Sequence, residues 1–432
     1  MKVATLSTEQ APPISVPLCF FAVAPVFLVL AALLLAAGGG NPFADTRSPA
    51  SLAATHCITL GFMAMVMLGA TQQLLPVVIG SPVPAPRLVA WSTLLPLTAG
   101  ALLLSGGFML GEPALLNLSW PLLGLAFLVF IGAGMLSLAR ASARNATKTA
   151  ILLSILSLAV AVALGMLLAR GYATGLPLPY TRLATAHIGL ALGGWVMLLI
   201  AGAAYQVVPM FQLTPDYPKW LTANLAPAIF AVLLLGLASL LLEPAPRWMA
   251  SATENLFWLL AACFAVVTLR LQNRRRRRVP DATLSFFRLG MLSLLLAALF
   301  SLASRLSPTA NDYFGTLSVL IFLLGFAMSL TQGMLYKIIA FLVWFHLFRG
   351  GINAVKAGVP NMKEIIPEPW MWRHLWLHIG TLLAVLLAPL WGVAAWLVML
   401  GLLLQGVLLG CAVLAGISVY RRTLGRIEQI PA

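Results

Sequence analysis

His56-Cys-Ile-Thr-Leu-Gly61-Phe62, followed by Gly69-Ala70, Gln73 and Pro76, recurs in altered form later in the chain. The second copy reads His187, then Gly194-Trp195, Gly202-Ala203, Gln206 and Pro209. Gly61, Gly69, Ala70, Gln73 and Pro76 all find their counterparts at a single offset, the one that separates Gly61 from Gly194. A third copy, Gly325-Phe326 and Gly333, lies about twice as far along, with Lys337 in place of Gln73 and Ala340 in place of Pro76. Small-residue pairs are common in membrane helices, but a shared Gly-Ala-x-x-Gln-x-x-Pro spacing at intervals of a third of the chain is not. It predicts three units of four helices. At about 100° per residue, Gly61, Gly69, Gln73 and Pro76 fall near 0°, 80°, 120° and 60°. They share one helix face, which lets another helix, or a flat ligand, approach closely.

The rest of the chain suits such helices. It has 432 residues, of which 9% are charged and 61% are AVILMFWYC; its mean hydropathy is +0.99. A soluble domain carries about 25% charged residues, so an ordinary cytosolic protein is excluded, and a solvated disordered chain even more so. The four cysteines, Cys19, Cys57, Cys263 and Cys411, show no disulfide-scaffold spacing and read as small apolar fillers. Apolar spans are predicted at 15–38, 52–79, 88–108, 117–139, 149–169, 184–208, 221–242, 254–271, 285–304, 314–346, 375–390 and 393–419, the last two forming a hairpin near Pro389 and Gly392. The expected fold is therefore an all-α polytopic membrane protein of about 12 spans. It is a single integral membrane domain, 1–432, with approximate repeat units 15–139, 149–271 and 285–419. The run from Ser15 is too long for a signal-peptide core and reads as a first span.

The net charge of +15 does not point to nucleic acid. The single dense basic run, Arg274–Arg278, lies between two apolar segments and reads as a topogenic loop. With that run inside, 21 of the 26 basic residues share its side, leaving Arg47, Arg170, Arg182, Arg247 and Arg305 opposite. The expectation is a multi-pass protein of a bacterial-type inner membrane with both termini cytoplasmic and membrane lipid as its surroundings.

Three four-helix units with a histidine at the outer start of segment 2 resemble subunit I of the heme-copper oxidase superfamily. The text from His56 to Arg87, with its Met-rich stretch, Gly69-Ala70 and Leu-Leu-Pro-Val-Val-Ile-Gly end, is similar to the second helix of those oxidases. The NnrS family, linked to nitric oxide stress, is a divergent branch of similar organisation whose local motifs do not obviously match. The resemblance implies heme b as cofactor and a respiratory electron donor or oxidase subunits as partners. The departures are large. The oxidases carry a His-x-His pair starting segment 10, where this chain reads Thr316-Leu-Ser-Val-Leu320, and a His-His pair on segment 7, where this chain has none. A standard terminal oxidase or nitric oxide reductase site cannot be assembled from His56, His187, His346, His374 and His378. All the acids fall in predicted loops, ends or span margins, so an intramembrane carboxylate relay is not expected either.

The interval from His187 to Pro209 is two residues longer than that from His56 to Pro76. In the oxidases the low-spin heme is held between neighbouring repeat units by ligands two residues apart in repeat register. Stepping that pairing one unit round predicts a single bis-histidine heme held by His56 and His187. The alternative is that each ring simply hydrogen-bonds a neighbouring backbone group or water. Gly61 and Gly194 offer the close approach a flat ring needs. Arg182 and Arg47 are the candidate partners for outward-facing propionates, or else headgroup markers.

His374 and His378 are four apart and share a helix face, with His346 on the same side; together they are a weaker candidate for a metal ion, copper included, or a second heme. The rival reading is an interfacial aromatic belt of Trp370, Trp372 and Trp376. Lys337, beside Tyr336, is expected to snorkel to the interface. A six-coordinate heme favours electron transfer or redox and nitric oxide-related sensing over substrate chemistry. The alternatives are a heme or copper transport or handling protein, and a non-catalytic assembly partner.

Overall fold

The computed structural model describes residues 10–241, 247–276, 279, 281–349 and 351–430, and no strand occurs among them. Arg277 and Arg278 of the basic run lie outside the described residues. The long helices are α1 (Ser15–Ala37), α2 (Pro49–Ile79), α3 (Pro86–Leu110), α4 (Pro113–Arg140), α5 (Ala146–Thr174), α6 (Tyr180–Gln212), α7 (Lys219–Leu241), α8 (Arg247–Asn273), α9 (Ala282–Leu306), α10 (Asn311–Phe348), α11 (Glu368–Leu387) and α12 (Gly392–Glu428). Their starts are written locally. Pro49, Pro86 and Pro113 occupy first turns, where a missing N–H costs nothing, and the Ser48 and Asn145 side chains accept from Ser51 N–H and Lys148 N–H.

Eleven of these helices are long and apolar enough to cross a membrane, so the chain is a polytopic helical membrane protein. The exception is α11, which corresponds to the expected eleventh span at 375–390 but begins at Glu368 and ends at Leu387. Glu368, Arg373, His374 and His378 dilute its hydropathy. The expected hairpin is present: α11 and α12 are joined through residues 388–391. α12 runs to Glu428, past the expected 419, and takes Arg421, Arg422 and Arg426 into the helix.

The chain forms two compact units. One comprises Thr71–Val279 and Arg288–Ala327 and the other Pro13–Ala70, Pro280–Phe287 and Met328–Ala432. In the first, α3 and α4 form a hairpin: a Cβ on Gly100 would sit 2.8 Å from Leu123, and one on Gly107 2.6 Å from Leu116. In the second, Gly406 of α12 admits Val29 and the Pro25 carbonyl of α1, and Gly416 admits Ile339 of α10.

The repeated glycines do one job three times. A Cβ on Gly69 would lie 3.0 Å from Phe20 Cβ and 3.3 Å from the Pro17 carbonyl of α1. On Gly202 it would lie 2.8 Å from Ala150 Cβ and 3.6 Å from the Thr147 carbonyl of α5; on Gly333, 2.5 Å from Phe286 Cβ and 3.5 Å from the Thr283 carbonyl on the α9 side. Each time the glycine meets a side chain and the carbonyl three residues before it on the preceding helix. Two turns earlier, Gly61 meets Phe27, Gly194 meets Ser157 and Gly325 meets Ser293. So the glycine face accepts a helix in all three copies.

Those earlier glycines lie in π-helical stretches, Cys57–Ala64, Gly189–Val196 and Ile321–Ala327. Their starts at Cys57, Gly189 and Ile321 are spaced almost as the sequence copies are. A π turn carries one extra residue and recurs at functional positions in helices. α2 has a further π turn at Leu75–Ile79, containing Pro76.

Gly202→Val is expected to destabilise the folded protein by about 1–3 kcal/mol, because its side chain has no room against Ala150. Gly132→Val, at a position with nothing within 4 Å of the added Cβ, should be close to neutral. Thermal or SDS unfolding of the two purified variants makes the comparison, and equal loss in both would contradict the packing role.

Candidate functional site

Both leading histidines sit at the mouth of a π stretch: His56 immediately precedes Cys57, and His187 stands just before Gly189. His187 Nδ1 is 2.8 Å from the Ala161 carbonyl of α5, and its Cε1 would be 2.9 Å from a Cβ on Gly165. A carbonyl only accepts, so Nδ1 carries the proton and Nε2 the lone pair. The ring is therefore fixed across two helices in one tautomer. His56 Nδ1 lies 2.7 Å from the Leu52 carbonyl, one turn back on its own helix, which sets the same tautomer. His346 does likewise with Leu342 at 2.9 Å. His187 belongs to the first compact unit and His56 to the second.

The other expected positions are also placed. Arg182 is exposed near the start of α6, and Arg47 is exposed in the α1–α2 loop, where its backbone N–H donates to Asp45. Gly61 and Gly194 face Phe27 and Ser157, as described, so helix side chains take up the space above them.

His374 and His378 do not behave as part of an interfacial belt. Trp376, between them, is 65% exposed, whereas the histidines are 0% and 1% exposed. They turn into a polar cluster in the second unit, built from Ser329, Gln332 and Tyr336 of α10, Thr381 of α11 and Gln405 of α12. Its hydrogen positions can be worked out from one fixed end. Thr381 Oγ1–H donates to the Leu377 carbonyl at 2.8 Å, so Thr381 accepts from Gln405 Nε2 at 2.9 Å. That orients the Gln405 amide. Its Oε1 then accepts from His378 Nδ1 at 2.8 Å and Gln332 Nε2 at 2.9 Å. His378 Nε2 is left as acceptor for the Ser329 hydroxyl at 2.8 Å. Tyr336 OH and His374 Nδ1 are 2.8 Å apart, and Phe286 packs edge-on to His374 at 5.3 Å. Two buried atoms of the cluster have no partner: His374 Nε2 and Gln332 Oε1. Low-dielectric surroundings make each existing bond stronger and each missing one more costly.

His346 does not join this pair. Among the described residues no three His, Cys, Asp or Glu side chains gather as a metal site. Ser329, Gln332, Thr381 and Gln405 escaped the sequence reading. The available signal was the spacing Ser329, Gln332, Tyr336, a polar stripe at i, i+3 and i+7 in an apolar helix.

Lys337 also departs from expectation. Instead of snorkelling alone, its ammonium lies 3.3 Å from the Asp281 carboxylate, just before α9. Burial works against the Asp281 charge, but Lys337 and hydrogen bonds from the Thr283 hydroxyl and the Leu284 N–H outweigh it and hold the carboxyl below its ordinary range. The first unit has its own charged pair: Arg305 Nη2 lies 2.5 Å from Glu254 Oε2, and Ser301 donates to Glu254 Oε1 at 3.0 Å.

By fold the chain is a multi-pass helical membrane protein with an internal glycine repeat and a buried histidine-glutamine cluster. No protein-family model matches it, and neither does any curated protein.

Gln405→Leu strands two buried donors, His378 Nδ1–H and Gln332 Nε2–H, and should cost about 2–4 kcal/mol of stability. Thr381→Val removes the acceptor of a single Gln405 donor and should cost about 1–2 kcal/mol. Unfolding of both variants in one detergent ranks them; the reverse order would refute the amide orientation.

A depressed Asp281 pKa contributes stability above the unfolded value, about 3.9, and that contribution disappears as pH falls through the folded value. Lys337→Met should therefore destabilise most near neutrality and least in acid. Melting temperatures of both proteins across that pH range test this, and a gap that widens in acid would show the opposite linkage.

Proposed function

We propose that the chain is a heme-binding membrane protein of heme-copper oxidase-like ancestry that passes or senses electrons. His187 is the leading iron ligand and His56 the second. The observation that supports this is the tautomer of His187: its ring gives its Nδ1 proton to the Ala161 carbonyl, which leaves Nε2 the ring nitrogen that iron would take. Ligating histidines are ordinarily held this way, because the second bond orients the ring and raises its basicity. A bound b-type heme supplies a one-electron Fe(III)/Fe(II) couple. With no histidine on α7 or in the first turns of α10, oxygen or nitric oxide reduction at oxidase-like rates is not part of this reading. Arg182 and Arg47 remain the proposed propionate partners.

A metal-handling role is the second reading, favoured by the bare Nε2 of the buried His374. An optical spectrum of the purified protein separates the two. Sharp, low-spin reduced b-type bands, turned high-spin or lost in His187→Ala and in His56→Ala, are the expected result. Wild-type bands in both variants would remove the assignment, and copper or zinc without heme would favour the second reading.

A further inference from the structure

The two ends of α9 treat their arginines differently. At one end Arg305 is paired with the Glu254 carboxylate. Near the other, Arg288 has no acid. Its Nη2 donates to Asn273 Oδ1 at 2.9 Å, and its Nε–H is buried without an acceptor. Arg275, just past the end of α8, also has a neutral partner: its Nη2 donates to the Val279 carbonyl at 2.8 Å. The two guanidinium groups are close enough to repel one another, and among the described residues no carboxylate forms an ion pair with either. The acid nearest to both in sequence, Asp281, is committed: Lys337 lies against Oδ2, and Thr283 and Leu284 donate to Oδ1. Neutral acceptors thus fix both cations in place and cancel neither charge.

What remains is a pair of half-buried positive charges with donors to spare. A guanidinium carries five N–H donors, in a planar fork that matches the oxygens of a phosphate. The helix surface leading away from them is apolar. At about 100° per residue, Leu292, Leu299 and Leu306 fall within about 40° of Arg288 on α9, and they are 55%, 61% and 75% exposed. From Arg288 to Leu299 the helix rises about 16 Å, close to half of a hydrocarbon core about 30 Å thick. One acyl chain reaches that depth. A soluble phosphate would use the charges and leave the leucines idle, whereas a phospholipid uses both. A choline headgroup would bring a third cation to a pair that already repels, so the complementary headgroup carries a phosphate and no cation.

We propose that the notch formed by Arg275, Arg288 and Asn273 binds the phosphate of an anionic phospholipid, whose acyl chain lies along the leucine stripe of α9. The bound phosphate turns the repulsion between the two arginines into a bridge that ties the end of α8 to the first turns of α9. This binding is independent of the heme reading.

The test uses the full-length protein, delipidated in a neutral detergent and titrated with phosphatidylglycerol or phosphatidylcholine, with the first lipid adduct followed by native mass spectrometry. Phosphatidylglycerol is expected to saturate this adduct at a concentration about tenfold or more below phosphatidylcholine. Arg275→Gln with Arg288→Gln should weaken phosphatidylglycerol about tenfold. Arg288→Lys, which keeps the charge and loses the fork, is the variant least disturbing to folding and should weaken it severalfold. Arg422→Gln, at an exposed arginine near the end of α12, should leave it unchanged. Equal affinity for the two lipids, or binding indifferent to both the double variant and Arg288→Lys, overturns the proposal. Displacement of phosphatidylglycerol by inorganic phosphate at an equal concentration would show a site for soluble anions and overturn it as well.

Discussion

Helices in hydrocarbon gain little by hiding apolar surface from one another, because lipid tails are equally apolar. What holds them is fit at short range, and in this chain the fit is made at glycines. At Gly69, Gly202 and Gly333 a backbone without a side chain meets the carbonyl three residues upstream of a contacting side chain. The partners differ in size, phenylalanine twice and alanine once, yet the approach is the same. The shared part is the missing Cβ, and the partner helix adjusts around it.

Much of this was legible in the sequence. The common offset that carries Gly61 to Gly194 and Pro76 to Pro209 picked out helices whose glycines make matching contacts, and small residues on one face foretold close approach. The π stretches were not legible. Cys57-Ile-Thr-Leu, Gly189-Leu-Ala-Leu and Ile321-Phe-Leu-Leu share only a fourth-position Leu followed by Gly, and a Leu-Gly step does not by itself call for an i→i+5 bond. The buried cluster was half legible. His374 and His378 declare themselves by type and spacing, but Gln405 lies 27 residues beyond His378, and no periodicity links an amide to an imidazole on another helix. The tryptophans misled because Trp376 shares a helix with both histidines while facing outward. Along α11 composition alone does not separate the buried face from the lipid face.

The candidate sites depend on different physics. His187 is fixed by a backbone carbonyl, which no side-chain substitution on α5 can remove; only a shift of that helix would release it. His378 is fixed through Gln405, whose own orientation is fixed by Thr381. Its tautomer therefore hangs on a chain of three side chains ending at the Leu377 carbonyl. The first arrangement is robust to sequence change and the second is not.

The π stretches have a consequence for how the chain tolerates changes in length. A helix interior is ordinarily the worst place for an insertion or deletion, because one residue turns everything beyond it by about 100°. A π turn already contains that extra residue. Deleting one residue within Gly189–Val196 would let the stretch relax to an ordinary α-helix while Gly202 kept its place against α5. The bulges are thus points where the spacing between a histidine and its glycine can drift without the helix pair losing register.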